Sequence, residues 1–137
     1  MWLGHAGALL KVERFNYWSN MPFLAGCVAF AANRWLVVPY VAGGFMRSHF
    51  NDLWMIPCAL PPLLWLYRRL GLRAHDGPPT VAEILSHLAF WSVFCEWIGP
   101  RLVPRSTGDP WDVLAYAAGA LLAGVWWRRH SLFPNRS

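Results

Sequence analysis

Four apolar segments separated by short polar connections constrain this chain more than any other feature of its sequence. They cover residues 21–38, 50–69, 81–99 and 111–127. Each has roughly the 20 residues that a helix needs to cross the hydrocarbon core of a bilayer. Backbone polar groups in a bilayer must be satisfied internally, so we expect all four segments to be helical. The sequence therefore predicts an all-α, integral membrane four-helix bundle, with residues 1–137 forming a single domain.

Composition supports the same fold class. Hydrophobic residues make up 56% of the chain and charged residues only 14%, which is little polar surface for a small soluble domain. Most of the 10 tryptophans lie near the ends of the apolar segments, as in the aromatic belts of bilayer proteins. A soluble domain with an aromatic core is the alternative. The basic residues flank the apolar segments, which indicates membrane topology and no nucleic-acid partner.

The segment before the first span has a different character. Residues 1–20 lack the basic start of a signal peptide and mix charges with apolar residues, so we interpret them as a retained helix lying in the membrane interface. The three cysteines have no metal-binding spacing and are expected to be free thiols.

Local signals mark where the predicted helices begin. They are Asn20 before Pro22, the capping box of Thr80 and Glu83, and Asp109 before Pro110. Asp109 is therefore interpreted mainly as a helix cap. The second segment contains Pro57, Pro61 and Pro62, which predict a kinked or locally unwound helix. In the fourth, the small residues Ala115, Gly119 and Ala123 form a stripe that lets another helix approach closely.

With four spans, both termini lie on the same side of the membrane. Eight of the 12 Lys and Arg residues then fall on the side of the termini and four on the other side. The positive-inside rule accordingly predicts cytoplasmic N and C termini.

This topology gathers polar side chains at the outer surface. The acids are Asp52, Glu96, Asp109 and Asp112, and the other members are Arg47, His49, Asn51, Arg101 and Arg105. Tyr116 shares a helix face with Asp112 and joins the candidate binding residues. Glu96 ends its helix, where the macrodipole disfavours an anion, so we expect arginine or metal beside it.

Asp112 and His49 are the less predictable members. A carboxylate turned towards the bundle needs a partner, which for Asp112 we expect to be Arg101, Arg105 or a cation. His49 near Asp52 can form a metal-ligand pair, although a single loop histidine is more commonly an ordinary polar residue.

Three kinds of site fit this set of residues. If the acids outnumber the arginines that reach them, oxygen ligands from Asp52, Glu96 and Asp112 favour a divalent cation such as Mg²⁺ or Ca²⁺. If the arginines stay partly free, a phosphate or carboxylate headgroup is the natural ligand. If acids and arginines pair fully, the network is architectural. The sequence shows no recognised catalytic motif, so we predict no catalytic residues, while a carboxylate acid–base pair leaves an enzyme open.

The segment 96–119 resembles the core of VanZ-like membrane proteins, with a helix-ending Glu, a loop Arg and a helix-starting Asp before a small-residue helix. It is also similar to short four-span bacterial proteins that share the patterns DLLxMP and FExxxPxxxxxxTxDxxDVxxYxxGA. The counterparts here are Asp52, Met55, Ile56 and Pro57 for the first pattern, and Glu96, Pro100, Thr107, Asp109, Asp112 and Tyr116 for the second. The resemblance implies a small protein of the bacterial inner membrane.

Three functions follow from these observations. We expect first a binding module whose outer cluster holds a cation or an anionic lipid or envelope-precursor headgroup. The alternative is an accessory or structural subunit that packs against other membrane subunits. A small transporter, or an enzyme acting on lipid-linked substrates, is the third.

Overall fold

A computed structural model describes residues 14–104 and 107–132. These residues form helices and contain no strand, which confirms the all-α prediction. The helices are α1 (Met21–Ala32), α2 (Phe45–Ser48), α3 (Phe50–Leu53), α4 (Met55–Arg69), α5 (Val81–Val93), α6 (Gly99–Leu102) and α7 (Pro110–Leu132). A π-helical turn (Asn33–Val37) and a 3₁₀ turn (Val38–Tyr40) prolong α1, and a second π-helical turn (Phe94–Ile98) joins α5 to α6. Of the predicted interfacial segment, residues 1–13 lie outside the described part.

Two helical stretches are long and apolar enough to cross a membrane. They are Met21–Tyr40, with 20 residues, and Val81–Leu102, with 22 residues. Only 11% of the apolar window of each stretch is buried within the chain, so neither resembles the core helix of a soluble protein. Their bounds agree closely with the first and third apolar segments of the sequence.

The predicted capping residues all act at helix starts. Asn20 Oδ1 accepts a hydrogen bond from the Phe23 backbone N–H at 3.1 Å. The Thr80 hydroxyl accepts from the Glu83 N–H, and the Glu83 carboxylate accepts from the Thr80 N–H at 2.8 Å. These bonds satisfy donors that the first turn of a helix leaves without partners.

The second apolar segment is interrupted one turn before Pro57, whereas its other two prolines lie within a continuous helix. α4 continues through Pro61 and Pro62, and the break from α3 lies at Trp54. Pro57 is the third residue of α4, where a backbone N–H would have no partner in the helix. Restarting the helix at Met55 therefore places Pro57 where its missing donor costs least.

α4 lies at the centre of the packed helices, and we use the word bundle for this packing of α1, α4, α5 and α7. It packs against α1, α5 and α7, and its residues Ile56, Leu60 and Leu64 are completely buried. The outward faces of the surrounding helices are apolar instead, with Val28, Leu85 and Leu121 each more than half exposed. Large apolar side chains thus lie both in the core and on the outward faces of the helices.

A buried arginine organises the connection after α4. The Arg73 side chain is only 4% exposed. Its guanidinium donates to Glu83 Oε1 at 2.7 Å, to the Tyr17 hydroxyl at 2.8 Å and to the carbonyl of Gly77 at 2.9 Å. Arg73 therefore fixes the loop to the start of α5 and to the chain before α1.

Candidate functional site

The candidate site lies at the end of the bundle where α3 packs against the first turns of α7. His49 lies between α2 and α3, Asp52 belongs to α3, and Asp112 belongs to the first turn of α7. α3 approaches α7 so closely that a Cβ atom on Gly119 would lie 1.8 Å from the Leu53 carbonyl oxygen. Glycine at this position therefore allows the two acidic helix segments to meet.

Three side chains converge here, and we call His49, Asp52 and Asp112 the His49 cluster. The Nδ1 atom of His49 lies 2.5 Å from Oδ1 of Asp112. One ligand atom from each of the three residues can be chosen so that all lie within 4.8 Å of one another. Asp109 lies at the edge of the cluster, with its Oδ2 atom 3.9 Å from His49 Nε2.

Glu96 lies beside this cluster and holds the loop that leads into α7. Its Oε2 accepts from the Asp109 backbone N–H at 2.6 Å, and its Oε1 accepts from the buried Tyr116 hydroxyl at 3.0 Å. A Cβ atom on Gly108 would lie 2.3 Å from the Glu96 carbonyl oxygen, so the loop also touches the backbone of the π-helical turn. These two donors hold the Glu96 carboxylate, and no arginine in the described part of the chain forms an ion pair with it.

Asp109 acts as the sequence suggests. α7 begins at Pro110, and Asp109 Oδ1 accepts from the Trp111 N–H at 3.0 Å. Its carboxylate is therefore engaged in capping, and only its second oxygen faces His49.

Two of the three arginines expected in the site, Arg47 and Arg101, contact other groups. Arg47 donates to the carbonyls of Val38 and Val41 at 3.3 and 3.1 Å, and the Arg101 guanidinium lies 4.7 Å from the centre of the Trp97 ring. Arg105 lies outside the described residues. Asp112 therefore pairs with His49, and the expected pairing with Arg101 is not found. Long side chains near a helix end reach local carbonyls and rings more readily than a carboxylate on another helix.

Asn33, which was not among the residues predicted for the site, holds the α2–α3 segment against the end of the first helical stretch. The Asn33 amide is almost fully buried and donates to the Met46 carbonyl at 2.7 Å and to Asn51 Oδ1 at 3.0 Å. Asn51 immediately precedes Asp52, so Asn33 connects the end of α1 to the cluster. An amide within an otherwise apolar segment is the signal that indicates such a role.

The charge state of His49 follows from its acidic neighbours. The hydrogen bond with Asp112 raises the pKa of His49 above its ordinary value, against a partial loss of hydration, and the charges of Asp112, Asp109 and Asp52 act in the same direction as the hydrogen bond. Without a metal, the pair therefore favours an imidazolium beside a carboxylate. A divalent cation held by His49, Asp52 and Asp112 would supply the same compensation for the carboxylates and would require a neutral imidazole.

Ala115, Gly119 and Ala123 lie on the buried face of α7. Gly119 contacts α3 of the same chain, and Ala123 belongs to the apolar core that contains Leu60. The small-residue stripe therefore brings α7 close to the chain's own helices.

Comparisons of this chain with protein-family models, with curated proteins and with solved structures give no match.

Proposed function

We propose that this chain is a small multi-pass membrane protein that binds a divalent metal ion in the His49 cluster. The observation that carries the proposal is the convergence of an imidazole and two carboxylates within 4.8 Å. No arginine within residues 14–104 and 107–132 forms an ion pair with Asp52 or Asp112. Among the described residues, His49 is therefore the positively charged partner of Asp112, and a bound cation would be a further one.

The ligand set selects a class of ion. Two carboxylates alone suit Mg²⁺ or Ca²⁺, which prefer oxygen ligands. An imidazole nitrogen shifts the preference towards first-row transition ions such as Zn²⁺ or Mn²⁺. His49 and Asp112 would have to give up their direct hydrogen bond to accept the ion. Three protein ligands would leave a coordination position open for water or another ligand.

Membrane location rests on the two spanning-length helices and on the exposed apolar faces of the bundle. Val28, Leu85 and Leu121 would be costly in water and are suited to acyl chains. The resemblance to VanZ-like proteins favours the bacterial inner membrane, and the distribution of basic residues favours cytoplasmic termini. The metal site then faces the outer side.

The test is metal binding to the purified full-length chain in detergent, measured by isothermal titration calorimetry with Zn²⁺ and with Mg²⁺. We expect Zn²⁺ to bind more tightly than Mg²⁺, and both His49→Gln and Asp112→Asn to weaken Zn²⁺ at least about tenfold, since each removes a ligand. Asp76→Asn removes a carboxylate from the other end of the bundle and is the matched control. Equal Zn²⁺ affinity in the wild type and Asp112→Asn would show that the cluster is not the site.

A headgroup ligand in this cluster has less support, because Arg47 donates to a backbone carbonyl and Arg101 lies over the Trp97 ring. The accessory-subunit alternative also loses one of its grounds, since the small-residue stripe is covered within the chain. The metal-binding function therefore accounts for more of the observed contacts.

A further inference from the structure

A second polar cavity lies at the opposite end of the bundle from the His49 cluster. It has a volume of about 730 Å³, and its wall includes Arg14, Trp18, Trp65, Arg68, Arg69 and Asp76. Asp52 precedes the start of α4, and Arg68 lies 13 residues after Met55, which corresponds to about 20 Å along α4. The two sites are therefore separate, and we call this one the arginine pocket.

The arginine pocket carries a surplus of positive charge. Its three arginines face a single acid, Asp76, which accepts from Arg68 Nε at 2.8 Å and from the Tyr17 hydroxyl at 3.3 Å. The hydrogen bond from Arg68 lowers the pKa of Asp76, so this acid is ionised and fully engaged. Asp76 consequently neutralises one of the three guanidinium groups.

Neither of the other two guanidinium groups makes an ion pair in the described part of the chain, although the charge of Arg14 acts on Asp76 from a distance. Arg69 stacks on the ring of Trp65, with Cζ 5.3 Å from the ring centre, and Arg14 lies exposed at the edge of the cavity. Neither forms an ion pair among residues 14–104 and 107–132. Stacking on an aromatic face leaves the N–H groups of Arg69 available to an anion.

The surroundings of the pocket suit an amphiphilic anion. Trp18 packs edge-on against Trp65, with the ring centres 5.4 Å apart. Both are amphipathic side chains of the kind found at membrane interfaces. Leu66 and Leu70, on the helical turn that carries Arg69, are 41% and 62% exposed. A positive cavity thus adjoins an apolar surface, as the headgroup and the acyl chains of a lipid require.

We propose that the arginine pocket binds a phosphate-bearing anion, through Arg14 and Arg69 with Arg68 in support. Guanidinium groups form paired, charge-assisted hydrogen bonds with phosphate oxygens, and these are stronger than bonds between neutral groups. The adjoining apolar surface selects the headgroup of an anionic phospholipid over free phosphate. This site is independent of the His49 cluster and of the metal that we propose there.

The test uses the purified full-length chain in a mild detergent with three probes. Phosphatidylglycerol and phosphatidylcholine with identical acyl chains are compared by native mass spectrometry, and inorganic phosphate by calorimetry. We expect phosphatidylglycerol to bind more tightly than phosphatidylcholine, and Arg69→Gln and Arg14→Gln each to weaken it about 5- to 10-fold. Arg47→Gln removes the same charge from the other end of the bundle and should change the affinity less than twofold.

Each outcome has a defined meaning. Tighter binding of phosphatidylglycerol supports a lipid headgroup as the ligand, whereas equal or tighter binding of inorganic phosphate supports a free phosphate at the same site. Equal affinity for the two phospholipids together with no binding of inorganic phosphate would overturn the proposal. Arg69→Gln with wild-type affinity would also overturn it, provided that its melting temperature shows a folded protein.

Discussion

His49 is a residue whose protonation and metal binding oppose each other. Its hydrogen bond with Asp112 raises its pKa in the folded chain above the ordinary value. Because the pKa is higher in the folded protein, the protonated imidazole adds to the free energy of unfolding. This contribution is complete below about pH 6.5, the ordinary pKa of histidine, and is lost as the pH rises through the pKa of His49 in the folded protein. Metal binding instead needs the neutral imidazole and is favoured as the pH rises.

We therefore predict that added Zn²⁺ reverses the pH dependence that His49 contributes to stability. Without metal, the wild type should lose stability relative to His49→Gln as the pH rises above about 6.5, because the imidazolium then loses its proton in the folded protein. With excess Zn²⁺ the wild type should gain stability relative to His49→Gln over the same range. Thermal unfolding in detergent measures both. Parallel curves for the two proteins in both conditions would contradict this role of His49.

At the scale of elements, the contact between α3 and α7 depends on a glycine. A methyl group at Gly119 would lie 1.8 Å from the Leu53 carbonyl oxygen, so the helices have to separate or shift. The Leu53 carbonyl cannot accept a helical bond from residue 57, because Pro57 has no N–H. The close approach of α7 thus covers a backbone group that the proline leaves without its usual donor.

We predict that Gly119→Ala destabilises the protein by about 1 to 3 kcal/mol, since overpacking outweighs the gain in helix propensity. Gly124→Ala is the matched control on the same helix. There the added methyl would meet only the end of the flexible Ile84 side chain, at 3.2 Å. Thermal unfolding of both variants in one detergent measures the difference. A variant Gly119→Ala as stable as Gly124→Ala would show that the helices tolerate wider spacing.

Contacts within one element can be predicted from the sequence more readily than contacts between elements. Asn20 and the capping box at Thr80 were predictable because a cap involves residues three positions apart. His49 and Asp112 were both recognised as candidates, but their pairing joins residues 63 positions apart and depends on how α2 and α3 turn. The burial of Arg73 was not predictable, since its acceptors include loop carbonyls that only the folded connection brings together.

At the scale of the whole molecule, the two ends of the bundle differ in charge. The His49 cluster with its neighbour Glu96 is acidic, while the arginine pocket at the other end is basic. Basic residues are retained on the cytoplasmic side during membrane insertion. The arginine pocket is therefore expected to face the cytoplasm, and the His49 cluster to face outwards.

We predict that a reporter fused after Ser137 is cytoplasmic and that one inserted at Thr107, next to the start of α7, is external. Paired fusions in a bacterial host, one active only in the cytoplasm and one only outside it, measure both positions. A C-terminal tag that antibodies reach in intact cells would contradict this orientation.

α7 makes a contact at each end of the bundle, and this has a consequence for how the protein is made. Near its start Asp112 meets His49, and near its end the Trp127 indole donates at 2.7 Å to the Asn20 side chain, 107 positions away. Synthesis proceeds from the N terminus, so both contacts wait until α7 has left the ribosome. A chain that stops before Asp112 has an open acidic end, an uncovered α4 and an unpaired Asn20. Synthesis of α7 therefore completes the contacts at both ends of the bundle in a single step.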